Sequence, residues 1–248
     1  MNAMQAYFAN LERVLHTVMD TQQENMEKAA ALMSQATLTD HNIFAFGCSH
    51  AGLLALELYY RTGGMANINP VRAPGLCLDI DPATMTSQME RMGEYGKIIC
   101  DNQPITEGDV VIIHSVSGRN TVTVDFAMRC REKGAKVICL TSVETGRQIP
   151  SRHPSGKLLM DVSDVVLDNC GCVGDGSIAV EGVPEKVGPT STAVGAAMLN
   201  AIMTRCVEMT VEAGGMPPVF ISANVEGGDA HNKAMLAKYK DHIFYMGH

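Results

Sequence analysis

Val110-Val111-Ile112-Ile113-His114-Ser115-Val116-Ser117-Gly118-Arg119-Asn120-Thr121 is the stretch that decides the fold. Four branched aliphatic residues in a row show no polar alternation, the pattern of a strand buried on both faces. The run ends abruptly in small polar residues. Beyond it, Val122, Phe126, Ala127 and Cys130 fall on one side of a helix that closes at Gly134. Outward from there the unit repeats. Lys136 to Thr141 is a second buried strand and Val165 to Leu167 a weaker one. Asn42 to Phe46 is another, ending in Gly47-Cys48-Ser49-His50, and a helical run from Leu53 to Tyr60 follows it before Gly63-Gly64. Such strands separated by helices predict an α/β fold: a doubly wound, mainly parallel sheet with helices on both faces.

Helices flank this core. Phe8, Leu11, Val14, Leu15, Val18, Met19, Met26, Ala29, Ala30, Leu32 and Met33 recur at helical spacing and predict one long leading helix over 1–38. The last long helix, Thr192 to Glu212, is apolar nearly all round, which predicts burial by the domain or by a second subunit. The stretches 70–108 and 142–190 read as irregular. One domain is expected, with its core at 40–213 and an extension at 214–248.

Composition narrows the function. Nineteen basic residues against 27 acidic ones leave a net charge of −8, and no run of Lys or Arg occurs. That balance argues against nucleic-acid binding, which depends on neutralising many phosphates. The aliphatic runs fall far short of the roughly 20 residues of a membrane span. The first ten residues lack a secretory pattern, so a cytoplasmic location with no membrane partner is expected. Eight cysteines, at 48, 77, 100, 130, 139, 170, 172 and 206, form no CxxC pair and mostly sit in apolar runs, as reduced buried thiols do. Cys170-Gly171-Cys172 has no accompanying ligand cluster, and no metal is expected.

The chemistry lies where strands end. Ligands of open parallel sheets bind beyond the carboxyl ends, where helix N-termini offer unpaired N–H groups and a positive dipole. Ser115, Ser117 and Thr121, with Gly118 and Asn120 between them, exceed what capping one helix requires. They suit a phosphate monoester. Ser49 gains weight if its strand adjoins the one at 109–114, so that both share a ligand.

These residues resemble those of a known family. Ser115-x-Ser117-Gly118 followed by a helix and by 134–141 is similar to the phosphate loop of the sugar isomerase (SIS) domain. Gly47-x-Ser49 followed by Glu57-Leu58, and Glu185 followed by Thr190-Ser191-Thr192, extend the resemblance over about 40–213. It points to a subfamily of the phosphoheptose isomerase-like branch, and implies that the doubly wound, mainly parallel sheet is five-stranded. The resemblance implies a sugar phosphate ligand and a homodimer or homotetramer with sites at the subunit interface. It also implies that Ser49, Ser115 and Ser117 hold the phosphate, with Gly118 allowing backbone contact. Asn120 stands where many members have Ser or Thr.

Glu57 lies among Leu, Ala and Tyr, where an unpartnered carboxylate is costly and its pKa rises toward that of a general base. The resemblance implies that role. An ion pair with Arg61, one turn on, is the alternative. Glu185 resembles the glutamate before the final helix of glucosamine-6-phosphate synthase isomerase domains, with the spacing one residue off. Asp229 reads as the N-cap of a terminal helix reaching Tyr239. His231 in its first turn is a candidate acid for ring opening, and His50 beside Ser49 is another. His114 reads as structural. The resulting expectation is an aldose–ketose isomerase working through an enediol(ate) without a redox cofactor. An amino-sugar-phosphate lyase, similar to N-acetylmuramic acid 6-phosphate etherase, and a non-catalytic phosphosugar sensor are the alternatives.

Overall fold

The computed structural model describes residues 1–246. Five strands form one parallel sheet in the order β2-β1-β3-β4-β5: β1 (Ile43–Gly47), β2 (Ile68–Pro70), β3 (Val110–His114), β4 (Lys136–Thr141) and β5 (Val165–Asp168). The register sets Gly47 beside His114 and His114 beside Leu140, so the ends of β1, β3 and β4 are level.

Alternate strand residues feed two cores. Ile43, Ala45, Val110, Ile112, Ile138 and Leu140 face one side, where α1 (Ala3–Thr21), α2 (Gln23–Leu38), α3 (Leu53–Leu58) and α8 (Ser191–Glu212) pack. Phe44, Phe46, Val111, Ile113, Val137 and Cys139 face the other, against α5 (Tyr95–Asp101) and α6 (Thr121–Glu132). Phe126 of α6 lies 4.3 Å from Phe46 between ring centroids. Each such fully buried side chain contributes roughly 1.5–3 kcal/mol from area removed from water. This is the doubly wound sheet expected from the strand patterns.

The single leading helix expected over 1–38 is two. It breaks at Gln22 (φ −110°, ψ 0°), whose side-chain oxygen accepts the backbone N–H of Asp168 at 3.1 Å. The chain turns there to follow the sheet, a tertiary demand that periodicity does not register. β2 has three residues, and α4 (Met85–Met89), α5, α7 (Val143–Gln148) and the antiparallel hairpin of β6 (Gly176–Ile178) and β7 (Val187–Pro189) fill the stretches read as irregular. After α8 the chain packs against the β2 edge: α9 (Gly228–Lys238) contributes Met235 to a small core with Ala66, Phe220 and Ile243. The helix starts one residue before Asp229, so Gly227 and not Asp229 is its N-cap.

All eight cysteines are free, and Cys48, Cys100, Cys130, Cys139 and Cys206 are buried. Burial pushes the thiols of Cys139 and Cys206 up to about 12. Cys170 and Cys172 have different partners, Thr21 and Asp168 for the first and the Gly176 carbonyl for the second. Among the described residues no three His, Cys, Asp or Glu side chains group as metal ligands, and no helix is long and apolar enough to cross a membrane.

Candidate functional site

β2 and β3 lie on opposite sides of β1. The strand order therefore reverses between β1 and β3, which places the ligand crevice of such a sheet beyond their carboxyl ends. Two turns face each other across it. At the end of β1, a Cβ on Gly47 would lie 2.5 Å from the Ala51 carbonyl oxygen, so only glycine lets the chain fold back this tightly. Ser49 follows in the left-handed region (φ 56°), with its N–H bonded to the Leu76 carbonyl at 2.7 Å and its hydroxyl 3.5 Å from that of Thr86. Non-glycine residues take that conformation at a cost and cluster at ligand sites.

At the end of β3 the chain runs through Ser115 to Gly118, which has φ 60°. The Ser115 hydroxyl accepts the Gly118 N–H at 3.2 Å, and the Gly118 carbonyl accepts the Leu159 N–H at 2.7 Å. The loop is thereby fixed from both sides. α6 opens with Asn120 as N-cap, but the Asn120 side chain does not cap it. Instead its oxygen accepts Arg152 Nη1 at 2.8 Å. Among the described residues the backbone N–H groups of Arg119, Asn120 and Thr121, and the Ser117 hydroxyl, have no acceptor or donor partner. Three unpaired donors at a helix start, one free hydroxyl and a glycine backbone form an anion cradle.

A SIS-domain family model matches residues 6–142, more than half of the chain. The chain belongs to the SIS-domain family. A UPF0309 protein of Shouchella clausii is 43% identical over 99% of this chain and 100% of its own length. In fold, this SIS domain is similar to a phosphoheptose isomerase of Francisella tularensis (TM-score 0.55, 13% identity, 83% and 96% of the two chains). It is also similar to the NanR protein of Vibrio vulnificus complexed with ManNAc-6P (TM-score 0.51, 13% identity, 97% and 69%).

Within this SIS domain the anticipated residues divide into two sets. Ser49, Ser115, Ser117, Gly118, Asn120 and Thr121 meet at the crevice, and His50 is exposed beside Ser49. The Thr121 hydroxyl is engaged with the Arg152 carbonyl at 3.4 Å. The Gly118 N–H, read above as a backbone contact for phosphate, is taken by Ser115.

The other set stands apart. Glu57 is half-exposed rather than desolvated: its Oε1 pairs with Arg61 and accepts Asn200 Nδ2 at 3.0 Å. Its apolar neighbours Leu54, Ala55 and Leu58 face the core, and the carboxylate does not. Glu185 is exposed on the loop joining β6 to β7, and His231 is exposed on α9 with Nε2 3.1 Å from the Val219 carbonyl. Val219 bridges to Met65, which precedes β2, so His231 sits at the opposite end of the sheet from the serine loop.

One residue at the crevice escaped sequence reading. Asp175, from the β5–β6 connection, accepts the N–H groups of Thr190 and Ser191 at 3.1 and 3.0 Å and the Ser191 hydroxyl at 2.6 Å, capping α8. His114 is buried with Nδ1 on the Ala51 carbonyl at 3.1 Å and Nε2 without a partner among the described residues. Burial depresses its pKa to about 4, against the opposing effects of the Ala51 carbonyl and the Asp175 charge. The ring is neutral and ties the end of β3 to the turn after β1, the structural role its sequence context suggested.

Proposed function

We propose that this SIS domain binds a sugar phosphate in the crevice between β1 and β3 and interconverts its aldose and ketose forms. The observation that carries the reading is the serine loop, with its unpaired N–H groups of Arg119 to Thr121 and the free Ser117 hydroxyl. That a phosphoheptose isomerase and the NanR protein complexed with ManNAc-6P share this fold supports it.

The chemistry needs one base at the sugar carbonyl. Glu57 is the proposed base: Arg61 and Asn200 both hold Oε1, which leaves Oε2 to take the C2 proton and return it at C1 through the enediol(ate). It lies eight residues beyond Ser49, about 12 Å along a helical path, and α3 leads away from the serine loop. The base therefore acts on the ligand of a second copy of the chain, in a homodimer or homotetramer whose sites lie at the interface. His231, at the far end of its own subunit's sheet, is proposed to reach a partner's sugar ring in the same way as the ring-opening acid.

The test is turnover. Incubation with hexose, heptose and amino-sugar phosphates in heavy water, followed by NMR, should show C2-proton exchange with one of them. Exchange accompanied by loss of a C3 substituent would reassign the protein as a lyase. Saturable binding without exchange of any ligand would make it a sensor and overturn the isomerase reading.

A further inference from the structure

Three arginines surround the start of α6 with little to neutralise them. Arg119 follows Gly118 in the serine loop, and its carbonyl accepts the Arg152 N–H at 2.9 Å. Arg152 reaches back to Asn120, and Arg91 follows Glu90, whose own carbonyl accepts the N–H of Val122 in the first turn of α6 at 3.2 Å. Among the described residues no carboxylate lies within 4.0 Å of Arg91, Arg119 or Arg152, whereas Arg129 and Arg131, farther along α6, are paired with Asp101 and Asp164. Arg119 Nε is buried without an acceptor. A guanidinium N–H left so is a costly state unless something absent from the chain accepts from it.

The one carboxylate nearby does not balance the cluster. Burial raises the Glu90 pKa, against the pull of Arg91 and Arg152. Arg152 is in turn held below the usual guanidinium range by partial burial and then by the charges of Arg119 and Arg91. Three cations thus stand beside one acid on a chain whose net charge is −8. Such a local reversal of sign focuses an anion, and guanidinium forks match phosphate and carboxylate oxygens.

We infer that Arg91, Arg119 and Arg152 form a second anion subsite beside the serine loop, so that the ligand is a sugar phosphate carrying a second acidic group. The inference rests on the phosphate reading of the serine loop and adds the substrate class. A phosphate seated on the N–H groups of Arg119 to Thr121 already satisfies that cradle. Arg119 comes from that loop and Arg91 and Arg152 from the segments packed against it, so their charge is surplus to one phosphate. A second phosphate or a carboxylate on the same sugar would supply the acceptors that Arg119 lacks.

Isothermal titration with three probes tests this: fructose 6-phosphate, fructose 1,6-bisphosphate and 6-phosphogluconate. The doubly acidic probes should bind at least tenfold more tightly than fructose 6-phosphate. A larger gain for the bisphosphate assigns the second group as phosphate, and one for 6-phosphogluconate as carboxylate. Arg119→Gln should bring the ratio close to one. So should Arg91→Gln, an exposed position whose loss leaves the fold intact. Arg131→Gln, which removes an arginine paired with Asp164, should leave the ratio unchanged. Equal binding of all three probes, or a ratio that survives Arg91→Gln and Arg119→Gln, would overturn the inference while leaving the phosphate site in place. If no probe binds, the phosphate reading fails with it.

Discussion

The backbone N–H of Gly118 donates to the Ser115 hydroxyl at 3.2 Å, so the two serines of the loop have different work. Ser115 shapes the turn and Ser117 is free to meet a ligand. Ser117→Ala should weaken sugar phosphate binding by about 1.5–3 kcal/mol, the range for a hydrogen bond to a charged group, with an unchanged urea midpoint. Ser115→Ala should also lower stability, by about 1 kcal/mol, because it strips the Gly118 N–H of its acceptor. Together they should weaken binding by roughly 2–4 kcal/mol. Calorimetry and urea denaturation of the single variants separate the two roles.

Glu57 can be tested without disturbing the phosphate site. Glu57→Gln keeps an acceptor oxygen for Asn200 and the shape of the side chain, so affinity should hold while C2-proton exchange disappears. His231→Ala should slow ring opening only, so an acyclic substrate analogue should still exchange. Full exchange by Glu57→Gln would move the base elsewhere, with Glu185 the next residue to replace.

His114 predicts a pH dependence. Its folded pKa, about 4, lies below the ordinary histidine value of about 6.5, so between those values the unfolded chain binds more protons than the native one. Stability should therefore fall as pH drops from about 6.5 to about 4, with His114 accounting for up to roughly 3 kcal/mol. In His114→Asn, whose amide can still donate to the Ala51 carbonyl, the loss across that window should be smaller. Urea midpoints of both proteins at pH 7 and 4.5 decide it; equal losses would contradict the assignment.

α8 predicts the assembly. Its inward side, from Val194 through Cys206, is buried, while Ala193, Ala197 and Ala201 are exposed along the outer side. A cleft of about 580 Å³ between α1, α2 and α8 is lined by Leu15, Met19, Met26, Ala197 and Ala201. Sedimentation should show a dimer or tetramer at micromolar concentration, and Ala197→Glu should shift it toward monomer. A monomeric parent would remove the partner that the Glu57 proposal requires.

The sheet was legible because β1, β3 and β4 are runs buried on both faces, and the serine loop because its polar residues directly follow such a run. β2 was not: Ile68-Asn69-Pro70 is too short for a pattern and takes its place from pairing with β1. Glu57 misled because its neighbours are apolar, yet only those on the inner side of α3 are buried and the carboxylate turns to Arg61. Asp175 and Arg152 come from the stretches read as irregular, and they reach the crevice through tertiary contacts that spacing does not encode. The break at Gln22 likewise answers to β5, more than a hundred residues away.

The central claim is that the loop between β3 and α6 holds the phosphate of a sugar phosphate. Backbone amide NMR during titration with fructose 6-phosphate, and separately with fructose, tests it most directly. Saturable shifts of the Arg119, Asn120 and Thr121 amides with the phosphorylated sugar, and none with fructose, are the predicted result. Equal affinity for both sugars, or phosphosugar binding that leaves those three amides unmoved, would contradict it.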